Sequence, residues 1–335
     1  MKSPKVSILL PVRNEEVMLP AALRSLQRQT LEQWELVVIN DGSTDGTAEI
    51  IENAAARDSR IRPLHLPAMG LVRALNTGLP LCRSELVARM DGDDICHPRR
   101  LQLQVEYMTA YPATSLVACR VRHIPRSSIR DGFLAYEDWQ NSLLDHASIL
   151  RDFFVESPFA HPSVMFRNQA VQSVGGYRDM GWAEDYDLWL RLMLNGARFA
   201  RLPQTLLFWR DHPHRLSRTG THCTLEAFRS CKAYYLTKHF LADQKQVTLW
   251  GAGLEGKEWR RELMNQGVAI SRWIDVDPRK IGQVIHGAPV HGIGHLSPGQ
   301  EKILITIGAR GARDQVRNYA STIGLVEGVD FVCVT

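Results

Sequence analysis

Between residues 6 and 90, short apolar runs alternate with amphipathic stretches. The runs cover 6–12, 35–40, 61–66 and 85–90, and the stretches between them cover 15–29, 45–57 and 71–81. Runs of that length suit buried strands, and the longer stretches carry a helical apolar period. The resulting βαβα order implies an α/β fold class, with a mostly parallel sheet covered by helices on both faces. In such sheets ligands collect beyond the carboxyl ends of the strands, so the residues that follow each run matter most.

The run over 85–90 leads directly into Asp91-Gly92-Asp93-Asp94. Clustered carboxylates do not all stay ionised unless positive charge joins them, and a hard divalent cation with oxygen ligands is the usual partner. Mg²⁺ or Mn²⁺ holding a diphosphate is one reading; an acidic turn capping the helix that begins near His97-Pro98 is the other. The first run leads into Pro11-Val12-Arg13-Asn14-Glu15-Glu16 and not into a glycine-rich turn, which argues against a dehydrogenase N-domain. The second ends in Asn40-Asp41-Gly42-Ser43-Thr44-Asp45, where Asp41 could accept hydrogen bonds from a base or ribose, or could simply form an Asx-type turn.

Composition bounds the rest. With 335 residues, 44% of them hydrophobic, the chain can bury a full core, and its length points to two domains. A charged fraction of 23% and a net charge of +4 argue against disorder and against a nucleic-acid partner. The sequence pI of 8.8 suits anionic small ligands or a membrane surface. Six scattered cysteines (Cys82, Cys96, Cys119, Cys223, Cys231, Cys333) lack metal-like spacing and imply a reducing compartment. The N-terminal apolar run is too short for a signal peptide, and no segment approaches the ~20 apolar residues of a membrane span. A cytoplasmic protein with at most peripheral membrane contact is expected.

Four segments, in order, resemble a family 2 glycosyltransferase of GT-A fold: Val6 to Glu15, Val37 to Asp45, Ala88 to Asp94, and Glu184-Asp185-Tyr186-Asp187-Leu188-Trp189-Leu190-Arg191. The resemblance covers residues 1–242 and implies site roles residue by residue. Pro11, Arg13 and Glu15 resemble the first nucleotide-contacting loop, and Asp41 the carboxylate that holds the base. Arg73 falls in a looser match near the nucleotide. Asp91 would lie against the ribose and Asp93 would ligate the metal, Mn²⁺ or Mg²⁺, with Asp94 bracing the turn. His212 resembles a late histidine ligand to the same metal; His214 is an alternative, and Arg210 and Arg215 could add phosphate contacts. Asp185 resembles the general base that deprotonates the acceptor hydroxyl, Glu184 a residue that orients the acceptor, and Asp187 a structural acid. His161 could touch donor or acceptor, or be a buried, hydrogen-bonded histidine.

The activity so implied is metal-dependent, inverting transfer from a nucleotide diphosphate sugar, a UDP-sugar by preference, to a hydroxyl acceptor in surface polysaccharide or glycolipid biosynthesis. Its place would be the cytoplasmic face of a membrane, its partners a nucleotide-sugar donor and a glycan or glycolipid acceptor. A non-catalytic nucleotide-sugar sensor or assembly scaffold is the competing class. The basic stretch over 120–139, with Arg122, Arg126 and Arg130, breaks the regular period and is expected to be a loop, on the acceptor or membrane side or merely solvated.

After a helical stretch over 225–240 and a polar linker at 242–246, a second unit is expected over 246–335. A strand ending at Trp250 meets Gly251-Ala252-Gly253-Leu254-Glu255-Gly256, then a helix over 257–266, and a second strand ends at Asp275. Gly251, Gly253, Gly256 and Asp275 form a Rossmann arrangement, in which helix N-terminal amides receive a diphosphate. A further strand is expected over 302–308. The unit resembles the small Rossmann-like domains at the N-termini of sugar acyltransferases. Nucleotide binding is one role for it; docking or dimerisation is another.

Overall fold

The computed structural model describes residues 3–213, 215–309 and 311–335. It divides into two compact units, one comprising Met1–Ile149, Pro158–Met180 and Glu184–Thr219, the other Leu150–Ser157, Gly181–Ala183 and Gly220–Thr335.

Among the described residues the first unit is built on eight strands: β1 (Val6–Val12), β2 (Trp34–Asp41), β3 (Ile61–Leu66), β4 (Leu86–Arg89), β5 (Ile95–Cys96), β6 (Leu116–Ile124), β7 (Met165–Arg167) and β8 (Phe199–Arg210). Their order is β3-β2-β1-β4-β7-β6-β8-β5. The four strands β3, β2, β1 and β4 run parallel, as do β6 and β8, whereas β7 is antiparallel to both its neighbours and β5 to β8. Every residue of β1 and β2 is buried. Both faces of these strands are covered, which is why the sequence reads as continuous apolar runs and not as alternation. On one face Ile8, Leu10, Leu36 and Val38 share a core with Leu19, Leu23 and Leu26 of the helix Leu19–Gln27. On the other, the helix Leu71–Gly78 lies so close that a Cβ on Gly78 would meet Leu9 Cδ1 at 2.5 Å and Ile39 Cγ1 at 2.8 Å.

Several elements depart from expectation for identifiable reasons. The helix expected over 15–29 spans Leu19–Gln27, because Glu15 and Glu16 donate their backbone N–H groups to Thr47 Oγ1 (2.8 Å) and Asp45 Oδ2 (3.1 Å). Pro20 then sits in its first turn, where no N–H is needed. The stretch over 120–139 is not a loop. β6 continues to Ile124, and a helix occupies Asp131–Ser142. No apolar stripe announces that helix; polar groups hold it. Asn141 Oδ1 accepts from Val121 N (2.9 Å) while its Nδ2 donates to Val121 O (2.8 Å). Buried Glu137 accepts from His123 Nδ1 at 2.7 Å and from Arg126 at 2.6 Å.

Among the described residues the second unit has six strands: β9 (Gln246–Trp250), β10 (Ala269–Ile274), β11 (Val284–Ile285), β12 (Ala288–His291), β13 (Ile303–Ile305) and β14 (Phe331–Cys333). Their order is β11-β12-β10-β9-β13-β14, parallel except where β11 meets β12. β13 is shorter than expected, since at Thr306 the hydroxyl turns onto the carbonyls of Trp250 and Gly251 (3.2 and 3.1 Å). The helix Leu225–Lys238 belongs to this unit, so the division falls after Thr219, ahead of the polar stretch at 242–246. Buried Lys232 on that helix donates to Val155 O (3.1 Å) and Val334 O (2.8 Å), tying 150–157 and the C-terminal strand region to it. Among the described residues no helix is long and apolar enough to cross a membrane.

Candidate active site

The tips of β1, β4 and β8 converge on one acidic centre. β4 ends at Arg89, and Met90 to Asp94 turn the chain into β5, which pairs with β8 through Ile95 and Phe208. That pairing brings the residues after β8 beside the turn. Arg210 donates its backbone N–H to Asp94 Oδ1 (2.8 Å) and its Nε to Asp93 O (2.7 Å), and His212 Nε2 lies 3.0 Å from Asp93 Oδ2. Asp94 therefore braces the turn, and Arg210 is engaged with its backbone. From β1, Glu15 completes the centre: one donor atom each from Glu15, Asp93 and His212 lie within 4.8 Å of one another, as do those of Asp91, Asp93 and Asp94. His214 lies outside the described residues.

Electrostatics at this centre reflect crowded negative charge. Burial, then the Asp93 charge, push the Glu15 carboxyl up to about 7. Burial and Asp93 likewise raise Asp94 well above the ordinary carboxylate range, and its buried Oδ2 has no hydrogen-bond partner among the described residues. Asp93 goes the other way: burial opposes its charge, but the hydrogen bond from His212 and the nearby Arg215 outweigh it. The same hydrogen bond raises His212. These residues fit a divalent cation. Carboxylate oxygens with one imidazole nitrogen suit Mn²⁺ or Mg²⁺, and the buried Asp94 Oδ2 has no hydrogen-bond partner among the described residues to compete for it.

A second group of side chains adjoins the first through Arg89. This guanidinium is buried, donates to Asp91 Oδ1 at 2.6 Å, and also binds Met90 O. Its charge, and that of Asp91, act on Asp185 at the start of the helix Glu184–Leu194. Burial first, and then the neighbouring Glu184 charge, push the Asp185 carboxyl up to about 8. Asp185 Oδ1 accepts from the backbone N–H of Tyr186 (2.7 Å), and the residue keeps part of its surface open to solvent. Glu184 stays low: burial opposes its charge, but His161, with Nδ1 at 3.4 Å from Oε1, and Arg89 favour it. His161 Nε2 lies 3.0 Å from the Tyr177 hydroxyl, and burial followed by the Arg89 charge lowers the imidazole. Asp187 is fully buried against Arg191 (2.7 Å), a structural pair.

The remaining expected residues are less tightly bound to this centre. Asp41 accepts the backbone N–H groups of Met69 (2.6 Å) and Gly70 (2.9 Å), shaping the loop ahead of the helix Leu71–Gly78. Pro11 is buried in β1, while Arg13 and Arg73 are exposed. Arg215 stacks on Trp209, its guanidinium carbon 4.2 Å from the ring centroid. Arg89 was not singled out from the sequence, although a lone arginine closing an apolar strand just before an acidic turn is a visible signal. Tyr177 carries no such signal; only folding brings it to His161.

Residues 7–175, half of the chain, match the model of "Glycosyl transferase family 2". The chain belongs to that family. This family 2 glycosyltransferase is 34% identical over 207 residues to the amylovoran biosynthesis glycosyltransferase AmsE of Erwinia amylovora, covering 60% of this chain and 74% of that one. It is 29% identical over 221 residues to the UDP-Gal:alpha-D-GlcNAc-diphosphoundecaprenol beta-1,3-galactosyltransferase of Escherichia coli, covering 65% and 78%. Among solved structures, S. aureus TarS 1–349 in complex with UDP-GlcNAc superposes with a TM-score of 0.57 at 17% identity, covering 79% of this chain and 81% of that one. A longer TarS chain is covered to 42%. The glycosyltransferase thus has a GT-A fold in its first unit.

Proposed function

We propose that the protein transfers a sugar, with inversion, from a nucleotide diphosphate sugar to a hydroxyl acceptor in surface polysaccharide or glycolipid assembly, using Asp185 as general base. The observation that carries this reading is that buried Arg89, hydrogen-bonded to Asp91 Oδ1, also lies near enough for its charge to act on Asp185. In this scheme Asp93, Glu15 and His212 would hold Mn²⁺ or Mg²⁺. A bound cation there supplies positive charge that offsets the charge developing on the departing diphosphate.

The chain's own groups account for the remaining steps. Asp41 reaches the base with lone pairs left beyond its bonds to Met69 and Gly70. Pro11, Arg13 and Arg73 border the nucleotide, Asp91 meets the ribose while Arg89 fixes its carboxylate, and Arg215 approaches the phosphates. The acceptor hydroxyl gives its proton to Asp185; its oxygen forms the new bond to the anomeric carbon as the bond to the diphosphate oxygen breaks. Attack opposite the leaving group inverts the centre. Glu184, held by His161, orients the acceptor beside the base.

A UDP donor is favoured by the Escherichia coli relative, a UDP-Gal-dependent galactosyltransferase, and by the TarS complex with UDP-GlcNAc. A divalent cation is favoured by the donor set and by a GT-A neighbour solved with GDP-Man and Mn²⁺. Nucleoside diphosphate release, measured over a panel of sugar nucleotides with and without Mn²⁺, tests the reading. Metal-stimulated release with one donor and a hydroxyl acceptor is expected. Donor binding without turnover across the panel would identify a sensor or scaffold instead.

A further inference from the structure

We propose that the second unit carries its own metal-independent site for a ribonucleoside diphosphate, in the cleft between β9 and β13. The order β12-β10-β9-β13-β14 places the strands that follow β9 on opposite sides of it, and ligands of doubly wound sheets bind where the order reverses. A cavity of about 450 Å³ opens at that point, lined among others by Gly251, Gly253, Asp275, Lys280 and Thr306. That volume lies within the range of small-molecule sites.

The three glycines of the turn do different things. Gly251 has φ +120°, and a Cβ there would meet Thr306 O at 3.0 Å. A Cβ on Gly256 would collide with the Gly251 carbonyl, so its absence lets the helix Leu254–Asn265 press against the turn. Packing explains both. Gly253 is different: its φ of −89° and ψ of −164° are open to any residue, and a Cβ would have nothing within 4 Å. The fold does not require glycine at 253. What its bare backbone does is leave the start of a 12-residue helix, with its unpaired N–H groups, open to the cavity.

Charges around the cleft suit an anion with a sugar attached. Asp275, at the tip of β10, accepts from Ala252 N (3.0 Å) and from Lys280 Nζ (2.8 Å). That bond offsets the Asp275 charge and uses one of the three ammonium N–H groups, so Lys280 keeps donors to spare at the rim. Glu255 also lines the cavity, but its carboxylate is drawn to Arg229 at 3.3 Å, which offsets its charge. The amides and Lys280 would take the phosphates, and Asp275 the ribose hydroxyls.

Calorimetric titration of the full chain in EDTA with UDP, ADP and NADH separately tests this. We expect at least one to bind, and Gly253→Glu to weaken that binding by tenfold or more, with Lys280→Ala weakening it less. UDP binding would point to a nucleotide sugar as the natural ligand; ADP or NADH binding would point to an adenine dinucleotide. Circular dichroism of Gly253→Glu should match the parent, since the position has room. No binding of any of the three in EDTA, or binding that Gly253→Glu leaves unchanged, overturns the proposal. Neither result bears on Asp93 or Asp185, so the reading of the first unit stands or falls separately.

Discussion

Two adjacent carboxyls, Glu184 and Asp185, open one helix, and their charges repel across its first turn. Burial raises the proton affinity of Asp185, and His161 and Arg89 keep Glu184 ionised, so that its charge raises Asp185 further. For a general base the consequence is an acid limb in the pH dependence of kcat/KM that lies above the ordinary carboxylate range. Since the Glu184 charge is one cause, Glu184→Gln should shift that limb to lower pH; a limb that stays in place would exclude Asp185 as its origin. Asp185→Asn should retain donor binding while transfer falls by roughly 10² or more, measured by single-turnover kinetics. Stability carries the opposite sign. A carboxyl raised on folding contributes stability below its unfolded pKa, near ~4, that is lost as pH rises through its folded value. Asp185→Asn should therefore gain stability relative to the parent as pH rises from 5 towards 9 in thermal melts without added metal. At the acidic centre, Asp93→Ala should abolish metal-stimulated turnover; full activity at saturating Mn²⁺ would remove Asp93 from the metal-binding group.

At the scale of elements, the site depends on how closely helices seat on the sheet. A methyl group at Gly78 would overlap Leu9 and Ile39 in β1 and β2. Gly78→Ala should cost about 1–3 kcal/mol in urea unfolding, the usual penalty for overpacking, and a stability equal to the parent's would show that the helix can shift outward freely. Strands β1 to β4 and the acidic turn after β4 were legible in the sequence because each is local: a buried run followed by a polar tip. The helix Asp131–Ser142 was not, since Glu137, Gln140 and Asn141 anchor it through contacts with residues elsewhere in the chain and leave no apolar period to read. For the same reason Asp93 and His212 could be singled out from their motifs, whereas the position of Glu15 beside them could not. Its place at the centre follows from the bonds of its own backbone and that of Glu16 to Thr47 and Asp45, which keep this stretch out of the next helix.

Across the whole molecule, two sheets each end in a ligand-competent edge, but they ask for different conditions. In the first unit the edge is acidic, and the proposed reading has a cation offset Glu15, Asp93 and Asp91 as a diphosphate approaches. In the second, the start of a helix offers its N–H groups, and Lys280, ion-paired with Asp275, keeps N–H donors to spare. Hydrogen exchange followed by mass spectrometry should separate the two. A ligand at about 100 times its Kd stabilises the bound state by ~2.7 kcal/mol, enough to slow opening about a hundredfold in the segments it touches. Mn²⁺ with a UDP-sugar should protect 12–16, 89–96 and 210–213, and chelation should remove that protection entirely. Protection at 251–256 by the nucleotide that binds there should survive chelation and disappear in Gly253→Glu. If chelation strips both regions alike, the second edge shares the metal requirement of the first, and its positive groups are not what attracts the nucleotide.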